Sequence, residues 1–402
     1  MKNKFDIIVI GGGLVGLSTA YKIQKKLPNK NILLIEKEDD IATHQSGRNS
    51  GVIHSGLYYK EGSLKAKNCV SGRHELVKFA KQHNIQHDIC GKLVVATNQN
   101  ELLALPNLQK RGHKNGLKNI EQLSPQQIQD IEPYVSGLGA LFIPETGIIN
   151  YIQLAKKIAN LIIEINSDSK ILTSTLVRDI KQKNGKSLII TNTINFECDH
   201  LIACAGLFSD SLAKLDGAKF DLKIVGFRGD YYTLTDSASH KVNNLIYPVP
   251  NPEFPFLGVH FTRMTNGEIE CGPNAVFTFK REGYRKTDFN FKDTIDALSY
   301  CGTWKLFKNH WKFGLNEMIK ASSKTIFLRH LQKLIPSLKL KDIRQGRSGV
   351  RAMALGSDGE VIDDFKIIIH KRNIHVLNAP SPAATACLSI GETISEKLLK
   401  IL

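Results

Sequence analysis

Three glycines near the start of the chain have the spacing of a dinucleotide-binding turn. Gly11, Gly13 and Gly16 form a G-x-G-x-x-G pattern directly after an apolar run and before a segment of helical character. The first glycine allows a tight turn, the second lets the backbone approach a pyrophosphate, and the third lets helix and strand pack closely. The start of the helix then faces the phosphate charge. This context predicts a nucleotide site.

An acidic residue at the end of the next apolar run supports this prediction. Glu36 follows residues 31–35 and lies twenty residues after Gly16. A carboxylate there can accept hydrogen bonds from both ribose hydroxyls of an adenosine, and it would repel a 2′-phosphate. The sequence contains one fingerprint of this kind. A flavoenzyme reduced by NADPH would need a second nucleotide site, so electrons are expected to come from an organic substrate and to leave to oxygen, a quinone or a carrier protein.

The elements that position these residues alternate between strand and helix patterns. Residues 5–10 form an apolar run typical of a strand buried on both faces of a parallel sheet. Further strand patterns occur at 172–180, 187–194, 200–206 and 373–377. The first two of these predict a hairpin around 183–186. A helix predicted at 389–402 would complete a nucleotide-binding unit late in the chain.

Composition and charge exclude several classes of protein. The chain has 402 residues, 42% of them hydrophobic and 23% charged, which is typical of a folded protein of two to three domains. Seven cysteines without a CxxC pair indicate neither a disulfide framework nor a zinc site, and we expect a reducing, cytoplasmic setting and no metal. No run approaches the roughly 20 apolar residues of a membrane-spanning helix.

The net charge of +16 favours an anionic partner, and the basic residues are most concentrated between Tyr300 and Arg344. Ten lysines and arginines in this segment are interleaved with Trp304, Trp311 and three phenylalanines. The favoured interpretation is a solvated helical surface with its aromatic side chains packed inward. A peripheral contact with an anionic membrane is kept as an alternative, because interfacial helices combine Trp with Lys. Nucleic acid is an unfavoured partner, since no RNA-recognition motif is present.

Segments along nearly the whole chain carry a family resemblance. They include 43–59 (THQSGRNSGVIHSGLYY), 226–232 (GFRGDYY), 247–250 (YPVP), 256–263 (FLGVHFTR), 272–275 (GPNA), 280–286 (KREGYRK), 349–352 (GVRA) and 378–385 (NAPSPAAT). In these segments the sequence resembles FAD-dependent oxidoreductases of the D-amino-acid oxidase and glycerol-3-phosphate dehydrogenase type. Within that group it looks most like the L-2-hydroxyglutarate oxidase (dehydrogenase) family.

The resemblance implies a fold of the α/β and α+β classes. A discontinuous, Rossmann-like FAD-binding domain would comprise residues 1–88, 148–216 and 345–402. A substrate-binding domain built on a large antiparallel sheet would comprise residues 89–147 and 217–344. The flavin ring would lie between them, and backbone N–H groups of the loop before the last helix would stabilise the anionic reduced flavin.

The glycine fingerprint and the resemblance together imply a set of FAD-binding residues. The expected set is Gly11, Gly13, Gly16, Glu36, Lys37, Ser46, Arg48, Asn49, Ser50, Gly51, Val177, Ala205, Gly206, Pro382, Ala383, Ala384 and Thr385. Whether the flavin is covalently attached stays open at this point, since in some relatives a histidine near position 54 carries it.

Oxidation of a secondary alcohol needs hydride transfer to flavin N5 and a base for the hydroxyl proton. His54 lies in a small-residue segment that the resemblance places against the flavin, so a flavin-proximal role is favoured over a structural one. His260 is the second candidate base. Since His260 and Arg263 are three residues apart in an apparent strand, they should point to opposite faces of it.

A dicarboxylate substrate needs cationic groups, and the guanidinium fork of arginine suits a carboxylate. Arg351 is the leading candidate, as both a substrate-binding and a catalytic residue, and Arg228 and Arg263 follow. Tyr58 and Tyr247 are candidate hydrogen-bond donors to the substrate, although aromatic packing would also explain them.

The sequence thus predicts an FAD-dependent oxidoreductase that acts on the CH–OH group of an L-2-hydroxy acid. The expected reaction converts L-2-hydroxyglutarate to 2-oxoglutarate, with oxygen or a membrane quinone as electron acceptor. Glycerol 3-phosphate, malate or a secondary amino acid are alternative substrates. A flavin-containing RNA-modification module is a remote alternative. The expected location is the cytoplasm, with peripheral contact at the inner face of the membrane left open, as is the oligomeric state.

Overall fold

The structure is a computed structural model that describes residues 3–250 and 258–402, without the side chains of Leu64, Phe313 and Lys320. Phe256 and Leu257 of the resembling segments therefore lie outside the described residues. The helices are α1 Leu14–Lys26, α2 Leu64–Gln82, α3 Gln99–Lys114, α4 Pro125–Ile131, α5 Tyr151–Ile165, α6 Ser209–Leu215, α7 Phe291–Leu298, α8 Cys301–Ser322, α9 Lys324–Leu331 and α10 Cys387–Leu399.

The strands of the described residues form three sheets. They are β1 Lys4–Ile10, β2 Ile32–Ile35, β3 Val52–Ile53, β4 His87–Asp88, β5 Lys92–Ala96, β6 Glu121–Leu123, β7 Gly139–Ile143, β8 Gly147–Ile149, β9 Lys170–Leu172, β10 Val177–Lys183, β11 Lys186–Thr191, β12 Phe196–Ala203, β13 Lys223–Leu234, β14 Leu245–Pro248, β15 His260–Arg263, β16 Ile269–Gly272, β17 Val276–Phe277, β18 Ile343–Leu355, β19 Lys366–His370 and β20 Asn373–Asn378.

The first sheet contains the glycine turn. Its order is β10-β11-β12-β1-β2-β9, and β20 and β19 extend it beyond β12. β1 runs parallel to β2 and β12, and β12 runs parallel to β20. Side chains of β1 and β2 are buried on both faces, against α1, α5 and α10 on one side. The hairpin, the other strands and the terminal helix are confirmed with end shifts of a few residues, but the predicted strand 172–180 is divided between the end of β9 and the start of β10.

The second sheet has nine strands in the order β17-β13-β16-β15-β14-β5-β7-β6, with β18 on the free side of β13. Its pairings are antiparallel except for the parallel pair of β14 and β5. The expected large antiparallel sheet is therefore confirmed. The domain boundary at residue 345 falls inside β18, which pairs with β13 along its whole length. Residues 345–355 thus belong with the second sheet, which corrects that boundary.

The two faces of the second sheet have different surroundings because side chains alternate along each strand. Ile246 and Phe261 point to a core that includes Phe327 and Leu331 of α9. Their neighbours Tyr247 and His260 point to the opposite face, where their rings stack. That face meets the small third sheet of β3, β8 and β4.

The basic segment from Tyr300 to Arg344 is largely helical. Phe327 is fully buried, as expected, but Trp304 and Trp311 are 58% and 59% exposed. The expectation that the aromatic side chains pack inward is therefore wrong for both tryptophans. Among the described residues, no helix combines the length and apolar character that crossing a membrane would require.

Candidate active site

The glycine turn has the geometry that its sequence predicts. Gly11 has φ +109°, and a Cβ there would lie 2.3 Å from the carbonyl oxygen of Cys204. A Cβ at Gly16 would lie 2.0 Å from the carbonyl oxygen of Gly11. Gly13 is the N-cap of α1, which has no side-chain cap and no acidic residue in its first turn. No residue of the first turn of α1 opposes the positive end of the helix dipole, which suits a pyrophosphate.

Glu36 is fixed at the carboxyl end of β2. Its Oε2 accepts a hydrogen bond of 2.7 Å from the backbone N–H of Gly12, and its Oε1 accepts one of 3.0 Å from the N–H of Glu38. The N–H of Thr175 donates to the Glu36 carbonyl, 2.9 Å away, which brings the start of β10 at Val177 to the same edge. The carboxylate stands beside the glycine turn, where a ribose would meet both.

The segment after β2 folds back over the start of α1. Ser46 Oγ accepts a 2.9 Å hydrogen bond from the N–H of Leu14. Asn49 shapes the loop, because its amide donates to the carbonyls of Gln45 and Ser46 and its Oδ1 accepts from the N–H of Gly51. Gly51 has φ +67°, and Ser50 makes a side-chain hydrogen bond with Tyr247.

Two cations predicted for FAD binding have protein partners in this segment. Arg48 lies over the ring of Tyr284 at 4.2 Å, and its Nε donates to the carbonyl of Thr43. Lys37 forms ion pairs with Glu38 and Glu282.

These two carboxylates and His44 stand close enough to share a metal ion. The ammonium of Lys37 already contacts all three of them. Lys37 therefore bridges Glu38, Glu282 and His44.

Three distant segments meet around residues 45–54. Thr385 Oγ1 accepts a 3.1 Å hydrogen bond from the N–H of His54, which ties the loop of Pro382, Ala383 and Ala384 to that segment. Gln45 Oε1 accepts from the N–H of Ala352 in β18. A Cβ at Gly206, which follows β12 and Ala205, would lie 3.1 Å from Gln45 Nε2. These contacts bring the 382–385 loop, β18 and the turn after β12 together around residues 45–54.

A group of cationic and aromatic side chains covers the adjoining face of the second sheet. We call the following residues the cationic cluster: His54, Tyr58, Lys92, Tyr231, Tyr247, His260 and Arg351. The rings of Tyr247 and His260 stack with centroids 3.9 Å apart. Tyr231 makes a side-chain hydrogen bond with Arg351. Both Lys92 and Arg351 lie near enough to His54 and His260 to act on their charge.

Both imidazoles are neutral at pH 7. Burial lowers the pKa of His54 to about 3, and the charge of Lys92 adds to this shift. Burial also lowers the pKa of His260 to about 3, against the effect of its hydrogen bond to the Gly258 carbonyl. That bond, 2.9 Å from Nδ1, requires the proton on Nδ1 because a carbonyl can only accept. His260 Nε2 is therefore left as a proton acceptor.

Two predicted arginines are engaged by acidic residues. Arg228 Nε donates to Asp230 at 2.8 Å, and its Nη1 donates to the carbonyl of Arg285. Arg263 Nη2 pairs with Asp88 at the third sheet. The structure does not place Arg228 or Arg263 in the cationic cluster.

Lys92 and Tyr231 belong to the cluster and were not singled out from the sequence. Tyr231 lies within segment 226–232, and the family resemblance of that segment could have pointed to it. Lys92 is the first residue of β5, and a lysine at a strand end is normally exposed. A faint signal is its place directly before the apolar run 93–96.

Comparison with known proteins agrees with this arrangement. The profile of the family described as "FAD dependent oxidoreductase" matches residues 6–397. The chain belongs to this family. Its cofactor is FAD, and the open helix start, the fixed carboxylate of Glu36 and the segments that meet around residue 45 fit such a dinucleotide.

Several relatives of this FAD dependent oxidoreductase are similar over nearly their whole length. L-2-hydroxyglutarate dehydrogenase of Indibacter alkaliphilus is 46% identical over 397 residues, which cover 98% of this chain and 99% of that protein. The enzyme of the same name from Escherichia coli K12 is 41% identical, with coverage of 99% and 94%. The human mitochondrial enzyme of that name is 42% identical, with coverage of 98% and 89%.

Solved structures support the fold of this FAD dependent oxidoreductase. FAD-bound L-alpha-glycerophosphate oxidase from Mycoplasma pneumoniae has a TM-score of 0.78 at 24% identity, with coverage of 99% of this chain and 94% of that chain. Glycine oxidase from Geobacillus kaustophilus has a TM-score of 0.76 at 14% identity, with coverage of 99% and 95%. At these identities the likeness concerns the fold alone.

Proposed function

We propose that this protein oxidises L-2-hydroxyglutarate to 2-oxoglutarate with FAD as the oxidant. The observation that carries the proposal is the cationic cluster, in which Lys92 and Arg351 flank two neutral histidines beside the region where FAD would lie. A dianionic substrate matches the two cations, and a neutral imidazole matches the proton that an alcohol must lose. Relatives that are 41–46% identical bear the name L-2-hydroxyglutarate dehydrogenase.

His260 is the better placed of the two candidate bases. Its hydrogen bond to Gly258 fixes the tautomer, and its stacking on Tyr247 fixes the ring plane. In the reaction His260 Nε2 would take the hydroxyl proton while the carbon–hydrogen bond of C2 breaks and the carbonyl forms. Bound FAD supplies the acceptor for the hydride that leaves C2. Binding of a dianion would raise the histidine pKa values and favour the protonated product form.

Arg351 would hold the carboxylate next to the reacting carbon. It extends from β18, opposite Phe227 of β13, and its hydrogen bond with Tyr231 orients it. His54 would then act from the other side of the cluster, as a hydrogen-bond partner of substrate or flavin. Its backbone N–H donates to Thr385, which fixes the position of this segment.

The residues that would hold FAD follow from the same geometry. Gly11, Gly13 and Gly16 with the start of α1 would bind the pyrophosphate, and Glu36 the ribose. The segments that contain Ser46–Gly51, Ala205–Gly206 and Pro382–Thr385 would surround the flavin, with Val177 near the adenine end. The first sheet would then be the main part of an FAD-binding domain and the second sheet that of a substrate-binding domain.

The proposal is tested by an anaerobic visible spectrum of the purified protein before and after addition of L-2-hydroxyglutarate. Parallel samples receive D-2-hydroxyglutarate, L-malate, glycerol 3-phosphate or sarcosine. We expect the L-isomer to bleach the flavin band and the D-isomer to leave it unchanged. Bleaching by another compound alone would still identify a flavoenzyme, but it would show that L-2-hydroxyglutarate is not the substrate.

The exposed tryptophans favour a contact with a membrane surface, where an electron acceptor would lie. We infer that α7 and α8 rest on an anionic membrane surface, with a quinone there as the acceptor and oxygen as the alternative. Trp304 and Trp311 are exposed beside Lys305, Lys308 and Lys312, a combination that suits negatively charged headgroups. The protein would then be a cytoplasmic enzyme attached to the inner face of the membrane.

Vesicle sedimentation tests this contact. Wild-type protein should sediment with vesicles that contain phosphatidylglycerol and remain in solution with phosphatidylcholine alone. Trp311→Gln should weaken sedimentation, whereas Leu103→Gln, which changes an exposed apolar side chain on α3, should not. Failure of the wild-type protein to sediment with anionic vesicles would refute the contact.

A further inference from the structure

Lys92 is a buried cation that has no acidic partner in the described part of the chain. It is 1% exposed. Its Nζ lies over the ring of Tyr58 at 4.4 Å and over the ring of Tyr247 at 5.0 Å. Aromatic faces attract a cation but replace little of its hydration. A buried ammonium group such as that of Lys92 is expected to be balanced by an anion, and the described residues do not supply one.

The other buried lysines of the described residues are each paired with a carboxylate. Lys65 is 7% exposed and pairs with Asp363 at 2.6 Å. Lys223 is 4% exposed and pairs with Asp296. Each has a carboxylate from this chain, as buried charges generally require. Burial without such a partner lowers the pKa of Lys92 to about 7.

A second buried group next to Lys92 also lacks a partner. The hydroxyl of Tyr58 is inaccessible to solvent and makes no hydrogen bond with described residues. Buried hydroxyls are normally hydrogen-bonded, so an unpaired one indicates a missing ligand or water. Since Lys92 lies over the Tyr58 ring, one bound carboxylate can receive hydrogen bonds from both side chains.

The position of Lys92 relative to Arg351 suits a substrate with two carboxylates. Lys92 and Arg351 both influence His54 and His260, so the two imidazoles lie within reach of both cations. Tyr247 also lies near both cations, because Lys92 Nζ stands over its ring at 5.0 Å and the charge of Arg351 acts on its hydroxyl. A chain with one carboxylate at each end could therefore contact both.

We propose that Lys92, together with the hydroxyl of Tyr58, binds the second carboxylate of the substrate and makes the site select dicarboxylates. Arg351 binds the carboxylate next to the reacting carbon. This inference rests on the proposed function, because it assigns a specificity residue within the same site.

The test compares two substrates that differ only at the far end. L-2-hydroxyglutarate ends in a carboxylate, and L-2-hydroxyvalerate has the same five-carbon chain but ends in a methyl group. Lys92→Met should lower kcat/KM for L-2-hydroxyglutarate by roughly 30-fold or more, mainly through KM, and leave kcat/KM for L-2-hydroxyvalerate nearly unchanged. Lys223→Met is the matched control, since it removes another buried lysine of the second sheet and should preserve the substrate preference.

Ligand binding gives an independent readout. Glutarate should perturb the flavin spectrum of the wild type, and Lys92→Met should weaken its binding by a similar factor. Visible absorbance and thermal unfolding report folding and FAD content. Lys92→Gln is a second variant if the Met variant does not fold.

Three outcomes would overturn the inference. One is an unchanged preference in Lys92→Met. Another is an equal loss of kcat with both substrates, which would place Lys92 in the chemical step instead of recognition. The third is equal glutarate binding by wild type and variant. If the wild type is not reduced by L-2-hydroxyglutarate at all, the proposed function fails, and the glutarate titration still decides the role of Lys92.

Discussion

Two groups of buried cations lie on the second sheet, and they are neutralised in different ways. In the first group Arg281, 6% exposed, donates to both oxygens of Asp210 at 2.7 and 3.0 Å and to Asp296 at 2.6 Å. Lys223 pairs with the other oxygen of Asp296. Two aspartates thus balance an arginine and a lysine, and we call these four residues the paired network.

The pKa shifts in the paired network favour the charged forms of its central members. Burial opposes the charge of Arg281, but Asp210 and Asp296 raise its pKa above the usual value. Burial likewise opposes the charge of Asp296, yet hydrogen bonds from Lys223 and Arg281 keep its pKa below the usual value. The network is complete without a ligand.

Burial also lowers the pKa of Lys223, but its hydrogen bond and ion pair with Asp296 oppose that shift, whereas the cationic cluster contains no carboxylate. Burial lowers the pKa of Lys92 to about 7 and those of His54 and His260 to about 3. Lys92 lacks a carboxylate among the described residues. Burial of a cation does not by itself indicate a binding site. Burial without an internal counter-ion does, because the balancing anion must then arrive with the substrate. Disruption of the cluster should therefore affect activity, and disruption of the paired network should affect stability.

The largest expected effect is on turnover in the cationic cluster. His260→Gln keeps a polar side chain but removes the base, so kcat with L-2-hydroxyglutarate should fall roughly 10²–10⁴-fold. FAD content and thermal unfolding should stay close to the wild type. Steady-state and anaerobic single-turnover kinetics provide the measurement.

His54→Gln is the matched variant for this experiment, and it should show the smaller loss. A wild-type kcat in His260→Gln combined with a large loss in His54→Gln would transfer the role of base to His54. Full turnover in both variants would show that neither histidine acts in the reaction. The cationic cluster would then have no catalytic role to distinguish it from the paired network.

The next effect is on stability in the paired network. Asp210→Asn removes the charge that balances Arg281, and loss of one partner of a buried pair costs about 3–5 kcal/mol of unfolding free energy. Urea denaturation followed by circular dichroism measures this loss. The ratio of kcat/KM for L-2-hydroxyglutarate and L-2-hydroxyvalerate should be unchanged. Asp236→Asn is the control, because Asp236 is almost fully exposed. A change of substrate preference in Asp210→Asn would show that the two groups are not functionally separate.

The nucleotide side of the molecule was predictable because its signals are local. The spacing of Gly11, Gly13, Gly16 and Glu36 lies within a single strand–helix–strand unit, and their geometry needs little from the rest of the chain. The approach of His54 to His260 could not follow from spacing, since one lies after β3 and the other in β15. The family resemblance placed only His54 close to the flavin.

The remaining features depend on contacts between distant segments. Lys92 is buried by Tyr58 and Tyr247, which belong to other parts of the chain, so its sequence neighbours do not reveal it. Trp304 and Trp311 were expected inside because helical periodicity shows which residues share a face but not whether that face has a partner. The end of the second sheet was misplaced at residue 345, because the pairing of β18 with β13 is not encoded locally.

The smallest expected effect, for each pH unit measured, is a pH dependence of stability that belongs to Lys92. Its folded pKa of about 7 lies below the ordinary value of 10.5. Between these two values the unfolded chain binds more protons than the folded one, so stability should rise with pH in that window, by at most about 1.4 kcal/mol per pH unit. Below pH 7 the charge is present in both states and its burial lowers stability by a constant amount. Lys92→Met lacks the group and should lack this rise.

The neighbours of Lys92 are the same in both proteins, so their contributions cancel in the difference between the wild type and Lys92→Met. In the folded protein these neighbours do not titrate in this window. Burial raises the pKa of Cys69 to about 12 and that of Tyr58 well above 10, while His54 and His260 titrate near 3. Unfolding temperatures of the wild type and Lys92→Met at pH 7, 8, 9 and 10 should converge as pH rises, with the Met variant more stable at pH 7. A constant difference across this range would mean that Lys92 has a counter-ion, and the contrast with the paired network would no longer hold.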